Sequence, residues 1–137
     1  LILGEGELRK ELEDLAIKLG VSENIWLPGF RSNPATYLCH ADCFVLSSNW
    51  EGFGNVVVEA LNSGVPIVIT DCPSGPSEIL AEGKYGILTS PGDWVEMANA
   101  IVKTLASNNN PEFLKKRGAD FNPERQAAYY LKLLTED

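Results

Sequence analysis

An α/β fold, in which a parallel sheet is covered by helices on both faces, is the architecture this chain should adopt. Short apolar runs alternate with amphipathic segments, and the turns between them are rich in Gly, Pro, Asn and Ser. That alternation marks strand–helix units. The apolar runs are also continuous rather than alternating, which suits strands covered on both sides. A length of 137 residues is that of one ordinary domain.

The elements follow in order. Leu1, Ile2 and Leu3 open a strand at residues 1–4 with no leading Met and no polar lead-in, so the chain reads as a segment of a longer protein. Residues 7–19 form a helix, because Leu8, Leu12, Leu15 and Leu19 recur at helical spacing and Gly20 stands just past the end. A second strand is expected at 25–28 and a short helix at about 34–41. The run Phe44, Val45, Leu46 makes a strand at 43–47, followed by a helix at 55–63 that Gly64 stops. Ile67, Val68 and Ile69 make a strand at 66–70, followed by a helix at 76–82, a strand at 86–89 and a helix at 94–106 with Asp93 as its N-cap. The stretch "SNNNP" at 107–111 is a polar break. Beyond it, helices at 112–118 and 123–134 form a tail whose stripe of Tyr129, Tyr130, Leu131 and Leu134 is expected to pack.

Composition narrows the function. The chain is 45% apolar and 22% charged with a net charge of -8, the balance of an acidic globular protein. Nucleic acid is a poor partner, because phosphate backbones reward clustered cations and the eleven Lys and Arg are scattered. No apolar run approaches the ~20 residues that span a bilayer. Cys39, Cys43 and Cys72 are an odd set at irregular spacing, which argues against a secreted disulfide framework. A cytoplasmic chain is the expectation. "CHADC" brings Cys39, His40 and Cys43 together, yet a metal site would need a fourth ligand and a presenting loop. No metal is expected. His40, the one histidine, precedes a strand at its amino end, opposite the edge where α/β sheets bind ligands, so it is not read as a general base.

The stretch "SSNWEGFGNVVVEALNSGVP", residues 47–66, carries the strongest chemical signal. At the carboxyl end of a strand, Gly52 and Gly54 let the backbone turn sharply, and a helix starting near Asn55 points its positive end at the turn. An anion suits that spot, and a phosphorylated ligand is the natural guest. Glu51 and Glu59 would repel a phosphate unless they turn toward neutral hydroxyls on either side of it. A nucleotide diphosphate sugar has that layout of ribose, diphosphate and hexose. Each glutamate also has a bland reading: Glu59 as a charge complementing the helix dipole, Glu51 as a solvated loop carboxylate. Ser47 and Ser48 lie at the same strand edge, as do Ser74, Gly75, Pro76 and Glu78 of "SGPSEIL", where Glu78 reads as a first-turn helix charge. "GEG" (Gly4, Glu5, Gly6) lacks the third glycine of a dinucleotide fingerprint and reads as a tight turn.

"EGFGNVVVEALNSGVPIVITD" closely resembles the signature of the retaining GT-B glycosyltransferases of family 4 (glycosyl transferases group 1). There, a glutamate, seven residues and a second glutamate mark the donor site. "LGEGELRKELEDLAIKLGVSENIWLPGF", "NPATYLCHADCFVLSS", "CPSGPSEIL" and "GILTSPGD" fall in the family's order and spacing. The resemblance implies a Rossmann-like sheet forming the carboxyl-terminal half of a GT-B fold, with the first strand of that domain missing. Residues 1–106 would be the nucleotide-sugar-binding domain, and 107–137 the polar break and helical tail. It also implies a role for each matching residue. Glu51 would hold hydroxyls of the donor hexose and be the catalytic residue, and Gly52, Phe53, Gly54 and Asn55 would hold sugar and diphosphate. Glu59 would hold the ribose, and the main chain at Pro28, Gly29 and Phe30 would read the base.

By the same resemblance a hexose passes with retention from a UDP-sugar, or less favourably a GDP-sugar, to a glycan or lipid-linked acceptor, with no cofactor. The acceptor would sit mainly on an absent amino-terminal domain, with peripheral attachment to the inner face of the membrane. An Arg and a Lys used by the family would precede this chain, so the chain alone should bind donor weakly and catalyse nothing. Without its first strand, a Rossmann order 3-2-1-4-5-6 renumbers to 2-1-3-4-5, provided the gap closes. Two alternatives share the sheet: a GT-B sugar-nucleotide epimerase, and a flavodoxin-like or receiver-like interaction domain. The second lacks the phospho-accepting aspartate after its third strand, which ends "SSNWEG".

Overall fold

A computed structural model describes residues 1–135. Contacts divide it into two compact units, Leu1–Pro34 and a larger one from Ala35 onward.

In the first unit the helix expected at 7–19 runs as α1 (Arg9–Lys18), and Gly20 follows its end with positive φ as expected. The strands expected at 1–4 and 25–28 are a correction. They are reduced to one isolated parallel bridge between Leu3 and Gly29, supported by Ile2 N–H to Trp26 O at 2.9 Å and Gly4 N–H to Gly29 O at 3.1 Å. Their apolar side chains were expected to be covered, yet Leu1, Ile2, Ile25 and Trp26 are exposed. A strand pair without burial has little to hold it beyond its hydrogen bonds.

The second unit holds the sheet. After α2 (Pro34–Leu38) come β1 (Phe44–Leu46), α3 (Asn55–Ser63), β2 (Ile67–Thr70), α4 (Pro76–Ile79), β3 (Ile87–Thr89), α5 (Trp94–Ala106), α6 (Pro111–Gly118) and α7 (Pro123–Thr135). The strands are parallel in the order β1-β2-β3, with Val45 opposite Val68 and Ile69 opposite Leu88. This is the 3-4-5 part of the expected order. Full burial holds only for the central strand β2, where all four residues are buried. β1 and β3 are partly exposed edges, and Val45 is 38% exposed, so a continuous apolar run did not mean cover on both faces there.

Burial alternates along β2 between two coverings. Ile67 and Ile69 join the core with Val57, Ala60 and Leu61 of α3, Ile79 and Leu80 around α4, and Leu114 of α6. Val68 is equally buried outside that cluster, and α5 packs against β2 and β3. Burying a side chain of the size of Leu61 or Ile69 contributes about 1.5–3 kcal/mol. α5 begins as expected: Asp93 accepts from Glu96 N–H at 2.8 Å, while the Glu96 carboxylate accepts from Ser90 N–H at 2.7 Å. The helix expected at 76–82 stops at Ile79, since Ala81 and Glu82 turn to positive φ.

The tail divides. α6 packs closely along α3: a Cβ on Gly118 would lie 2.3 Å from Asn62 Oδ1. α7 has no buried residue among those described, and Tyr129, Tyr130, Leu131 and Leu134 are all exposed, so the expected packing stripe is not covered.

Two measurements test this packing. Gly75 has φ 88, and a Cβ there would lie 2.4 Å from the Phe53 carbonyl oxygen, whereas nothing lies within 4 Å of a Cβ on Gly6. Gly75→Ala should lower the melting temperature by at least the equivalent of about 1–3 kcal/mol from backbone conformation alone, and Gly6→Ala should leave it nearly unchanged. Equal effects would contradict the close approach. Second, Cys39 is exposed, Cys72 is buried, and burial pushes the Cys43 thiol above its ordinary range. Native alkylation followed by peptide mass spectrometry should label Cys39 first and Cys72 last. Cys43 labelling should need a higher pH, where its thiolate finally forms.

Candidate functional site

The helix α3 begins as the glycines require. Gly54 is buried with φ 85 and ψ 50, a left-handed conformation that costs a residue with a side chain free energy, and it immediately precedes Asn55. A Cβ on Gly54 would make only ordinary contacts, 3.4 Å from Val57 Cγ2 and 3.7 Å from Ile79 Cδ1, so the demand is conformational. No side chain caps α3. The leading amides of a helix have no partner within it, and here they form its positive end beside exposed Gly52, Phe53 and Asn55.

A second loop presses on the first. Gly75 lies so close to Gly52 and Phe53 that a Cβ would be 3.0 Å from Gly52 O as well. The preceding Ser74 also has positive φ, at 71°. "SGPSEIL" was expected near this edge, and its glycine proves to be the piece that seats the Gly52–Gly54 turn.

The two glutamates differ in how they are held. Glu51 is half-buried and accepts from Ser48 Oγ at 2.6 Å; the Ser48 carbonyl in turn accepts from the buried Thr70 hydroxyl at the end of β2. Its orientation is therefore tied to the sheet. Glu59 is exposed, and among the described residues its carboxylate has no hydrogen bond or ion pair. It lines an open cavity of about 500 Å³ with Phe53, Asn55, Val58 and Asn62 on one side and Gly118, Ala119, Phe121, Asn122 and Pro123 on the other. Glu51, Gly52 and Gly54 do not line that cavity; they belong to the turn beside it.

Sequence reasoning missed the wall of this cavity. Residues 118–123 were assigned to a tail. The one local signal was the small pair Gly118 and Ala119, of the kind that lets backbones approach closely. Asn62, which carried no expectation, joins the site because it follows Asn55 and Glu59 on the same helical face.

In the first unit, Pro28 and Gly29 form a turn beside Gly4, and Phe30 is 75% exposed, so it is not a core aromatic. Arg9, which carried no expectation, organises this corner. It donates to Leu27 O at 2.7 Å, to Glu5 at 2.8 Å and to Glu13 at 2.9 Å. A Cβ on Gly29 would lie 2.9 Å from the Glu5 carboxylate.

The remaining polar residues stand apart from the turn. His40 Nδ1 lies 2.8 Å from Thr36 O, after α2 and before the amino end of β1. Among the described residues, no three His, Cys, Asp or Glu side chains cluster as a metal site would require, and no helix is long and apolar enough to cross a membrane. A further cavity of about 360 Å³ lies at the amino ends of β2 and β3, lined by Ile67, Tyr85, Ile87 and Phe113, and holds none of the expected residues.

With this geometry in view, comparison with known proteins is specific. The chain is 45% identical over 104 residues to an uncharacterised glycosyltransferase of Methanocaldococcus jannaschii, covering 66% of this chain and 26% of that protein. It is 35% identical over 138 residues to the lipopolysaccharide core biosynthesis glycosyltransferase LpsE of Rhizobium meliloti, covering 97% and 40%. The chain thus spans well under half the length of these relatives. The structure superposes on the apo form of the lipopolysaccharide outer core galactosyltransferase WaaB with a TM-score of 0.86 at 20% identity, over 97% of this chain and 39% of that one. It superposes on Anabaena HepE in complex with UDP and glucose with a TM-score of 0.76 at 27% identity, over 95% and 39%. The neighbours are GT-B glycosyltransferases, and the parallel α/β fold is theirs. The sequence profile described as Glycosyl transferases group 1 matches residues 1–121, and by that match this chain belongs to the group 1 glycosyl transferases.

Proposed function

We propose that this chain is the donor-binding part of a longer retaining glycosyltransferase of family 4, which moves a hexose from a nucleotide diphosphate sugar to a glycan or lipid-linked acceptor. The observation that carries this reading is the uncapped start of α3 at Gly54, with Ser48-tethered Glu51 before it and Glu59, unpaired among the described residues, one turn into it, beside an open cavity. Phosphate oxygens suit the amides, and carboxylates suit neutral hydroxyls. In this reading Glu51 holds hydroxyls of the hexose and is the catalytic residue. The backbone of Gly52, Phe53, Gly54 and Asn55 holds sugar and diphosphate, and Glu59 holds the ribose.

The transferred sugar leaves a diphosphate on which charge builds, and fixed amides at a helix start stabilise such charge without reorganising. Holding the acceptor on the same face of the sugar is then a matter of positioning. UDP-sugars are the favoured donors, a choice supported by the UDP and glucose bound in HepE. Relatives named for lipopolysaccharide core synthesis and for a diphospho-undecaprenol acceptor support a glycan or lipid-linked acceptor. That acceptor would be held mainly outside this chain, on a cytoplasmic enzyme attached peripherally to the membrane. The chain alone binds donor weakly without turning it over.

Two substitutions in the intact protein test the assignment. Glu59→Ala should weaken UDP binding roughly tenfold or more, the scale of hydrogen bonds to a charged group. It should leave binding of 2′,3′-dideoxy-UDP unchanged; equal losses for both nucleotides would remove Glu59 from the ribose. Gly52→Ala meets nothing within 4 Å and has no positive φ to lose, so the melting temperature should hold while the KM for donor rises. An unchanged donor KM would place the diphosphate elsewhere.

A further inference from the structure

We propose that Phe121, in the segment between α6 and α7, is a positioning residue for the Gly52–Asn55 turn. It holds the ring of Phe53, and Arg117 holds it. For its functional consequence this inference rests on the donor-site reading above.

Phe53 sits between two glycines, so its backbone has little intrinsic stiffness. Two contacts restrain it from different elements. Its carbonyl lies against Gly75, and its ring meets Phe121 edge to face, with centroids 5.7 Å apart and planes at 65°. That is favourable geometry for an aromatic pair.

Phe121 is anchored in turn. The Arg117 guanidinium lies 4.6 Å from the centre of its ring. The same guanidinium donates to Ile79 O at 2.9 Å, to Glu78 O at 2.7 Å and to Asp120 at 3.2 Å, with only 19% of the side chain exposed. Glu78 and Ile79 belong to α4, which begins directly after Gly75. The contacts therefore close a circuit from the Phe53 carbonyl through Gly75, α4, Arg117 and Phe121 back to the Phe53 ring. A lysine could not replace Arg117, because one ammonium cannot stack on a ring and also donate as a planar fork to two carbonyls. Phe121 also faces the cavity that Glu59 lines, so the circuit ends where a ligand would enter.

The test uses the intact protein with four variants, Phe121→Ala, Phe121→Leu, Phe121→Tyr and Tyr129→Ala, the last on exposed α7 as a control. Hydrogen exchange is followed by mass spectrometry, and UDP affinity is measured in parallel. Phe121→Ala and Phe121→Leu should speed exchange in the peptide spanning Gly52 to Val57 while β2 stays protected. UDP should bind roughly three- to tenfold more weakly, the scale of one edge-to-face contact. Phe121→Tyr keeps the ring and should restore both readouts to within about twofold, and Tyr129→Ala should change neither. Exchange at the turn that stays as slow in Phe121→Ala and Phe121→Leu as in the unsubstituted protein overturns the proposal, and so does exchange that rises equally in β2. If the unsubstituted protein binds no UDP, the donor reading fails, and the exchange result still decides whether Phe121 positions the turn.

Discussion

Everything at the carboxyl edge of the sheet depends on one backbone contact, the approach of Gly75 to the carbonyl of Phe53. A side chain on Gly75 would push the two loops apart, because the Cβ would lie 2.4 Å from that oxygen. With none, the starts of α3 and α4 are drawn to the same place. Gly54 then turns left-handed, and α3 starts without a side-chain cap. The end of α4 presents carbonyls to Arg117, which fastens the segment after α6 beside the turn. Among the described residues, helix starts and a wall come together with no ion pair between them.

For the proposed anion, an acidic chain with net charge -8 is an unexpected host. The resolution lies in which groups face the turn. Backbone amides carry the positive end of α3, worth typically 0.3–1 kcal/mol per interacting charge and up to about 2 when partly buried. Glu51 accepts from Ser48, and that bond directs its nearer oxygen to a hydroxyl. Glu59 faces an open cavity, where solvent and salt screen it. In the proposed reading, carboxylates placed in this way beside a phosphate select the hydroxyl groups that flank it.

Much of this was legible in the residues. The helix at 94–106 has the limits that Asp93 and the apolar spacing implied, and α3 spans the interval between its two glycines, because capping and turn residues act locally. Continuous apolar runs were less informative. The same pattern gave a buried β2, half-exposed edges at β1 and β3, and a single bridge at Leu3 and Gly29, since cover depends on what packs from elsewhere in the chain. The glutamates and glycines of the turn were readable as a motif. Arg117 and Phe121 were not, because nothing in "KKRGADF" announces a contact with α4 or with Phe53, 68 residues before Phe121.

The central claim is that the amides at the start of α3 cradle the diphosphate of the donor. Titrating isotopically labelled intact protein with UDP and following backbone amide resonances tests it most directly. Saturable shifts largest at Phe53, Gly54, Asn55 and Val56, with Tyr85 and Phe113 unmoved, are the expected result. Largest shifts at the Tyr85–Phe113 cavity, with the turn silent, would contradict the claim.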